Sequence, residues 1–260
     1  MGKRVTGPLE GQVAIVTGAS RGIGRGLAIG LATAGAAVVC AARTAVEQPG
    51  GLPGTIGATA DAITATGGRA LAVRCDIGVE ADITRLIDST IAELGRIDVL
   101  VNNAMAPTRG RFEEITAAMW DESMSTNVRS LFLLCSSVLP HMVVVGGGSI
   151  INVSSGAAAH ESNRHLPPGF TVYAVAKAAL ERFSTVLATE LTDRNVAINA
   201  LRPGAVKTEQ ATKELGEGFD WTGWTTPEAV VPSVVYLAAQ RGEGLTGRVL
   251  DVRDWGVTWP

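Results

Sequence analysis

The stretch TGASRGIG, Thr17–Gly24, decides the fold class of this 260-residue chain. It follows the β-branched run VAIVT, Val13–Thr17, and opens a segment with a helical pattern, Gly22–Ala34. A strand-to-helix turn needs glycine where the dihedral angles are unusual and where the backbone approaches a pyrophosphate, and the helix N-terminus offers N–H groups to the anion. The glycines placed for these roles are Gly18, Gly22 and Gly24. The alternative for such a loop is a tight connection, but its place in the first βαβ unit favours a dinucleotide site.

Short β-branched runs alternate with longer helical patterns along the whole chain. The strand-like runs are Val13–Thr17, Ala36–Ala42, Ala70–Cys75, Asp98–Asn103, Ser149–Ser154, Val196–Leu201 and Arg248–Val252. Helix-compatible segments between them include Gly22–Ala34, Glu80–Leu94, Trp120–Met142 and Val172–Leu191. This alternation predicts one α/β domain over residues 1–260, with a doubly wound parallel sheet that is buried on both faces.

The composition predicts a globular protein of the cytoplasm. A net charge of -3 provides no basic surface for nucleic acid or an anionic membrane, so neither is expected as a partner. The N-terminal segment MGKRVTGPLEGQ lacks the apolar core of a signal peptide, and no apolar run is expected to reach membrane-spanning length. Cys40, Cys75 and Cys135 lie in apolar runs without CxxC spacing, which is typical of buried thiols in a reducing compartment.

The end of the second strand-like run indicates which nicotinamide cofactor is bound. An acidic residue is usual there when the adenosine ribose is unmodified, but this chain has Ala42 followed by Arg43. Arg21 lies within the glycine loop, and two guanidinium groups near one ribose suit a 2′-phosphate. The pattern favours NADP(H), while NAD(H) stays possible because each arginine alone could be a solvated surface residue.

The stretch FTVYAVAK, Phe170–Lys177, places Tyr173 four residues before Lys177, so in a helix the two side chains share a face. An isolated tyrosine has a pKa of ~10 and is a poor acid or base near neutrality. A nearby ammonium favours phenolate, so we expect a lowered Tyr173 pKa and an acid–base role. The alternative for an isolated pair is a core tyrosine and a solvated lysine.

Four motifs occur in family-like order: TGASRGIG, VNNA at Val101–Ala104, INVSS at Ile151–Ser155 and YAVAK at Tyr173–Lys177. With them the chain resembles the short-chain dehydrogenase/reductase family, and the resemblance extends to LTGRVLDV at Leu245–Val252. It implies a single-domain Rossmann fold with a seven-stranded sheet, a nicotinamide cofactor, carbonyl–alcohol chemistry and a homotetramer or homodimer. The stretch Leu52–Ala70 is similar to the hydroxysteroid dehydrogenase-like branch.

The resemblance also implies catalytic roles. Tyr173 exchanges a proton with the substrate oxygen, Lys177 holds the nicotinamide ribose, Ser155 polarises the carbonyl, and Asn127 holds a water in a proton relay behind the lysine. Tyr173 follows Ser155 by 18 residues, a longer interval than the family usually shows. If the alignment shifts by one position, Ser154 becomes the donor.

The cofactor residues implied by the loop and the resemblance are Gly18, Ser20, Arg21, Gly22, Ile23, Gly24, Arg43, Asp76, Ile77, Asn103, Ala104, Tyr173, Lys177, Pro203, Gly204, Val206 and Thr208. Met105 stands where the family commonly has glycine, which puts the fine geometry beside the cofactor in doubt. No metal is expected, because the spacing of His160 and His165 in a proline-bearing loop is weak for a metal site.

Two segments are expected to form a substrate lid, residues 156–172 and residues 209–226. The second carries Phe219, Trp221 and Trp224, which either cover an apolar substrate, pack under the lid or meet a neighbouring subunit. The sequence thus favours an NADP(H)-dependent oxidoreductase of a medium-sized, largely apolar ketone, aldehyde or secondary alcohol. The alternatives are an NAD-dependent enzyme of the same type and a non-catalytic NADP(H)-binding regulatory protein.

Overall fold

The strands of the computed structural model agree with the strand-like runs of the sequence. Residues 7–160, 166, 168–216 and 218–260 are described. The strands are β1 Val13–Thr17, β2 Ala37–Ala42, β3 Ala70–Arg74, β4 Val99–Asn102, β5 Gly148–Val153, β6 Val196–Arg202 and β7 Val249–Asp251. They form one sheet of 7 strands in the order β3-β2-β1-β4-β5-β6-β7, and neighbouring strands pair in parallel. The prediction of a seven-stranded, doubly wound parallel sheet is confirmed.

Helices cover both faces of this sheet. They are α1 Gly22–Thr33, α2 Ile56–Ala65, α3 Glu80–Leu94, α4 Ala117–Met124, α5 Ser130–Val144, α6 Thr171–Leu191, α7 Glu209–Leu215 and α8 Pro227–Ala238. Apolar side chains of α1, α2 and α8 pack in one buried cluster, and those of α3, α5 and α6 pack in another. Alternate strand residues enter opposite clusters, Val38 the first and Val39 the second, because successive side chains of a strand point to opposite faces.

The chain changes direction across the sheet between β1 and β4. Val16 of β1 pairs with Cys40 of β2 on one side and with Val101 of β4 on the other. From β1 the chain continues outward to β3, and from β4 it continues in the opposite direction to β7. Crossovers that leave in opposite directions open a crevice at the carboxyl ends of the strands, where α/β proteins bind their ligands.

Helices α1 and α8 approach closely because α1 presents glycines at the contact. A Cβ on Gly30 would lie 2.2 Å from Cγ1 of Val231, and a Cβ on Gly26 would lie 2.8 Å from Cβ of Pro227. Any larger residue at these positions would push α8 outward. The contact therefore holds the N-terminal end of α1 in place above the crevice.

One long helical run crosses the second face, from Ala117 to Val144, and a π-helical turn at Ser125–Arg129 joins α4 to α5. Length and composition alone would let this run cross a membrane, so the expectation that no such run exists is wrong. Its inward residues, among them Leu134 and Val138, pack against the sheet in the second buried cluster. The run is a core helix of the domain, and its apolar character follows from that packing.

We expect the substitution Gly30→Ala to destabilise the protein by about 1–3 kcal/mol, because the added methyl group meets Val231. Helix propensity alone would give the opposite sign, about 1 kcal/mol of stabilisation. The matched control is Gly57→Ala in α2, where a Cβ meets only Oγ1 of Thr55 at 3.8 Å, and this variant should be stabilised. The measurement is the urea unfolding midpoint.

The double variant Gly30→Ala/Val231→Ala should recover part of the lost stability, since it removes the side chain that the new methyl group meets. Equal stabilisation by Gly30→Ala and Gly57→Ala would contradict the close approach of α1 and α8.

Candidate active site

The turn between β1 and α1 lies at the mouth of the crevice and brings backbone against backbone. Gly18 and Gly22 have φ angles of 69° and 55°, which favour glycine. A Cβ on Gly24 would lie 2.2 Å from the carbonyl oxygen of Gly18, and one on Gly18 would lie 2.7 Å from Nδ2 of Asn103. Arg21 is the N-cap residue of α1, and its side chain makes no capping hydrogen bond. The first N–H groups of the helix therefore stay available to an anion. This cradle fits a pyrophosphate.

The hydroxyl of Thr17 joins this turn to the loop after β4. Its Oγ1 accepts hydrogen bonds from the backbone N–H groups of Asn103 and Ala104, both at 3.0 Å, and donates one to the carbonyl of Val101. Nδ2 of Asn103 in turn donates to the carbonyl of Thr17 at 2.9 Å. The two strand ends that flank the crevice are therefore held in one fixed arrangement.

The segment after β6 closes the same crevice from a third side. Gly204 has a φ of 75°, and Val206 forms an isolated bridge with Thr225. Oγ1 of Thr208 caps α7 by accepting from the N–H of Ala211 at 3.2 Å. Cγ2 of Thr208 also lies 3.3 Å from the position of a Cβ on Gly22, so the segment that begins at Pro203 reaches the glycine turn.

A cavity of about 740 Å³ lies between the glycine turn and α7. Charged side chains line it, with Arg25, Lys207 and Lys213 outnumbering Glu209 and Glu228. Its volume falls within the range of small-molecule and cofactor sites, roughly 300–1,000 Å³. The size and the excess of cations fit the phosphate-bearing part of a dinucleotide.

The predicted adenine contacts lie at the carboxyl end of β3. Oδ1 of Asp76 accepts a hydrogen bond from the N–H of Gly78 at 3.0 Å, and the N–H of Asp76 donates to Asp82. Ile77 is buried in the second apolar cluster. Ser20 is buried in the glycine turn, and Ile23 lies at the start of α1. These positions are at the same edge of the sheet as the glycine turn, as the sequence predicts.

Arg21 and Arg43 have different surroundings. Arg21 donates from Nε to the carbonyl of Pro53 at 2.9 Å and from Nη2 to the carbonyls of Leu52 and Gly54. These bonds hold the loop between β2 and α2 against the glycine turn. Arg43 is exposed, so the predicted recognition of a 2′-phosphate depends mainly on Arg43.

Tyr173, Lys177 and Ser155 meet at the centre of the crevice. Tyr173 and Lys177 lie one turn apart on α6, and 9% and 3% of their surfaces are exposed. Nζ of Lys177 lies 5.9 Å from the centre of the Tyr173 ring and donates to the carbonyl of Val153 at 2.6 Å. Ser155, just after β5, forms a side-chain hydrogen bond with Tyr173. The long interval between Ser155 and Tyr173 therefore leaves their contact intact. Within that interval, Glu161–His165 and Pro167 lie outside the described residues.

Burial dominates the acid–base properties of this group. It raises the pKa of Tyr173 above its usual value, and the hydrogen bond with Ser155 and the positive charge of Arg109 oppose this effect. The expectation of a lowered Tyr173 pKa is therefore wrong. Burial also lowers the pKa of Lys177 to about 8, although the negative charge of Glu181 favours the ammonium. Removal from water has a larger effect here than the pairing of unlike charges.

Ser154 is occupied by another contact. Its hydroxyl donates to Oε1 of Glu181 at 2.7 Å, and Arg202 forms two further hydrogen bonds of 2.7 Å with the same carboxylate. The Ser154 side chain is buried and turned to this ion pair. The geometry therefore favours Ser155 over Ser154 as the hydroxyl that acts with Tyr173.

Asn127 lies in the π-helical turn, and its side chain is already occupied. Oδ1 accepts from the N–H of Ala106 at 2.9 Å, while Nδ2 donates to the carbonyl of Ala106 and to the hydroxyl of Ser123. These bonds fix the loop that carries Met105. A water behind Lys177 would thus have to bind the main-chain carbonyl of this turn rather than the side-chain amide.

The aromatic residues of the second lid segment pack on one another. Phe219, Trp221 and Trp224 meet edge to face, with ring centres 5.0 to 5.7 Å apart. Nζ of Lys207 lies 4.9 Å from the centre of the Trp221 ring. The three rings therefore pack on one another, and the lid itself stays a prediction. Glu217 of this segment lies outside the described residues.

Arg109, Phe170 and Glu181 are site residues that sequence reasoning missed. Cζ of Arg109 lies 3.6 Å from the centre of the Phe170 ring and 4.9 Å from that of Tyr173. No motif marks Arg109. Glu181 could have been found, because it follows Lys177 by four residues on the same face of a helix.

Comparison with known proteins agrees with this fold. The sequence profile of the short chain dehydrogenase family matches residues 12–217. The 7alpha-hydroxysteroid dehydrogenase of Escherichia coli strain K12 is 32% identical over 257 residues, with 96% of this chain and 95% of that protein covered.

Solved structures show the same fold. A 7 alpha-hydroxysteroid dehydrogenase complexed with NADH and 7-oxo glycochenodeoxycholic acid is similar with a TM-score of 0.81 and 31% identity, over 94% of this chain and 93% of that one. A short chain dehydrogenase from Burkholderia cenocepacia J2315 in complex with NADP has a TM-score of 0.79 and 27% identity, over 94% and 97%.

We expect Lys177→Met to change how stability depends on pH. The folded pKa of Lys177, about 8, lies below its ordinary 10.5, so the unfolded chain binds more protons between these values and the stability of the wild type rises with pH there. The variant lacks this rise. Relative to the variant, the wild type should gain on the order of 2 kcal/mol between about pH 8 and pH 10.

The measurement is urea unfolding of both proteins across that window, with the exposed Lys213→Met as control. Parallel pH profiles for wild type and Lys177→Met would show that the buried amine is not perturbed.

Proposed function

Because the chain belongs to the short-chain dehydrogenase/reductase family, we propose that it is an NADP(H)-dependent oxidoreductase of a medium-sized, largely apolar ketone, aldehyde or secondary alcohol. Nicotinamide-dependent chemistry at C=O and CH–OH groups is the activity of the family. The observation that carries the proposal is the contact between the hydroxyls of Ser155 and Tyr173 beside the buried Lys177.

Tyr173 acts as the acid in reduction and as the base in oxidation. Burial raises its pKa, so the phenol keeps its proton at neutral pH and can give it to a carbonyl oxygen. Ser155 donates a second hydrogen bond to the same oxygen, which holds the carbonyl in place and stabilises the charge that develops there. In the reverse direction Tyr173 takes the proton of the alcohol.

Lys177 assists this proton transfer as a buried, mostly protonated amine. Its pKa of about 8 keeps the amine mostly protonated at neutral pH, and the ammonium donates to the carbonyl of Val153. Its remaining N–H groups would hold the ribose hydroxyls of the nicotinamide nucleotide. Asn127 fixes the loop at Ala106, and the π-helical turn offers a carbonyl to a water of the relay.

The glycine turn, Asn103 and the segment from Pro203 to Thr208 would hold the cofactor. A Cβ on Gly18 or Gly24 would overlap Asn103 or the carbonyl of Gly18, so glycine at these positions keeps the turn tight and lets a pyrophosphate approach the N-terminus of α1. When bound, the nicotinamide supplies a hydride in reduction and accepts one in oxidation.

The preference for NADP(H) is supported by the end of β2. Ala42 lacks the carboxylate that would bind an unmodified ribose, and Arg43 is exposed where a 2′-phosphate would lie. The bonds from Arg21 to Leu52 and Gly54 fix the neighbouring loop, so a phosphate would meet a formed pocket. Family members bind NADH in one related structure and NADP in another, so an NAD-dependent enzyme is the alternative.

An apolar substrate body is supported by the rings near the site. Phe170 meets Tyr173 edge to face, with ring centres 6.2 Å apart. The aromatic cluster of residues 219–224 stiffens the second lid segment. The related 7 alpha-hydroxysteroid dehydrogenase complexed with 7-oxo glycochenodeoxycholic acid supports a large substrate body.

The competing proposal is a regulatory protein that binds NADP(H) without turnover. Such a protein would be expected to lose at least one catalytic side chain, whereas Ser155, Tyr173 and Lys177 are all present and in contact or close together.

We further propose a cytoplasmic homotetramer or homodimer. The free, buried thiols Cys40, Cys75 and Cys135 support a reducing compartment.

Replacing Tyr173 with Phe should lower kcat by at least about 10²-fold with NADPH binding almost unchanged, because only the acid–base hydroxyl is removed. The measurement follows NADPH oxidation against aldehydes, cyclic and aromatic ketones, steroid ketones and 3-oxoacyl thioesters. A Phe variant as active as the wild type would disprove the mechanism.

Two serine variants form the matched control. Ser155→Ala should lower kcat by about 10-fold or more, because the oxygen loses a donor. Ser154→Ala should instead lower stability through the loss of its bond to Glu181 and leave kcat nearly unchanged. The reverse outcome would assign the substrate contact to Ser154.

We expect Arg43→Ala to weaken NADPH binding by roughly 10-fold or more and NADH binding by less than about 3-fold, because only NADPH carries the 2′-phosphate. Arg194→Ala is the control, since Arg194 is also exposed but precedes β6 at the opposite edge of the sheet. Cofactor fluorescence titrations give both dissociation constants. Equal losses for the two cofactors would remove the case for a phosphate pocket.

A further inference from the structure

The guanidinium group of Arg109 lies at the reactive centre of the site. Arg109 belongs to the loop after β4, and its Cζ lies 3.6 Å from the centre of the Phe170 ring and 4.9 Å from the centre of the Tyr173 ring. Its positive charge lowers the pKa of the Tyr173 hydroxyl, whereas burial raises it. A cation therefore forms part of the wall beside the proton donor.

Arg109 has no hydrogen-bond partner in the described part of the chain. Its Nη1 atom is buried without any acceptor. The other half-buried arginines of that part all donate hydrogen bonds: Arg21, Arg96, Arg202 and Arg241. Arg111, two residues further on, forms an exposed ion pair with Glu113. Arg109 thus differs from the other half-buried arginines that the structure describes and from its exposed neighbour Arg111.

Contact with aromatic rings does not satisfy this group. The rings of Phe170 and Tyr173 attract the cation, but a ring face cannot accept the N–H bonds that radiate from the edge of the guanidinium plane. A buried donor without an acceptor, and still more a buried charge, is unfavourable in a folded protein. Such an arrangement is explained if a ligand supplies the missing acceptor.

We propose that the substrate carries a carboxylate close to its reacting carbon, and that Arg109 binds this carboxylate while Tyr173 and Ser155 bind the carbonyl or alcohol oxygen. The inference rests on the proposed function, and it makes the substrate an oxo or hydroxy acid with an apolar body. Arginine suits this role because its planar fork matches the two oxygens of a carboxylate.

The separation of the two groups favours a short spacer. The guanidinium carbon lies 4.9 Å from the centre of the Tyr173 ring, so both ends of a small acid would be held at once. Glu214 of α7 is the acidic residue whose charge also acts on Tyr173, and it is hydrogen-bonded to Gln210 rather than to Arg109. Glu214 would disfavour acids that extend toward α7 and so restrict their orientation.

The experiment compares oxo acids with their methyl esters. We would use a series with about one to four methylene groups between ketone and carboxylate, and measure both NADPH-dependent turnover and binding by calorimetry. For at least one spacer, the wild type should prefer the acid to its ester by roughly 10- to 100-fold in kcat/KM and in dissociation constant. Arg109→Met should bring the kcat/KM values and the dissociation constants of acid and ester to within about 3-fold of each other, mainly by weakening the acid.

Three further variants make the comparison specific. Arg109→Lys should retain part of the preference, since it keeps the charge and loses the fork. Arg111→Met is the control and should leave the preference intact. Arg109→Met should melt at the same temperature as the wild type or higher, because it removes an unpaired buried cation, so a strong loss of stability would assign Arg109 a structural role instead.

The outcomes separate this inference from the proposed function. Equal affinity of the wild type for every acid and ester, with turnover of neutral ketones, would overturn the carboxylate site and leave the oxidoreductase standing. Acid binding that depends on Arg109 without any turnover would sustain the carboxylate site and reject the oxidoreductase. If Arg109→Met weakens the binding of acids and esters by the same factor, Arg109 does not bind the substrate carboxylate, and the inference is wrong.

Discussion

The close approach of two backbone turns at the end of β1 is the constraint on which the rest of the site depends. Gly24 lies so near the carbonyl of Gly18 that a Cβ would overlap it, and the hydroxyl of Thr17 ties the same turn to the N–H groups of Asn103 and Ala104. These contacts bring the N-terminus of α1 to the point where the sheet changes direction. Every other site residue is placed relative to this junction, because the strands are parallel and end at one edge.

Burial of a lysine is the second constraint, and it works against stability. Among the residues that the structure describes, Lys177 has only the carbonyl of Val153 as a hydrogen-bond acceptor, with the charge of Glu181 nearby. The carboxylate of Glu181 is itself neutralised by Arg202 and receives the hydroxyl of Ser154. The helix that presents the acid–base group is thus anchored by a buried polar network. Such a network is favourable only while all its members are present.

Motifs predicted the residues of the candidate site, but the direction of the Tyr173 pKa that they implied was wrong. A contact between Tyr173 and a serine at the end of β5 could be predicted from local patterns, but the choice of Ser155 over Ser154 could not. The direction of the Tyr173 pKa could not, since it depends on how much water the folded chain removes. Arg109 was missed for the same reason: its neighbour Phe170 is distant in sequence, and only folding leaves its Nη1 buried without a partner.

The sequence by itself determined the class of fold, the order of its elements and the candidates for the reacting groups. Periodicity and glycine spacing are local properties, so the strand at Val13–Thr17 and the helical face shared by Tyr173 and Lys177 can be read directly. The tertiary structure decided which serine faces Tyr173, where Arg21 donates its bonds, and that Arg109 is left unpaired beside the site. These features depend on distances between segments far apart in the chain, which no local pattern contains.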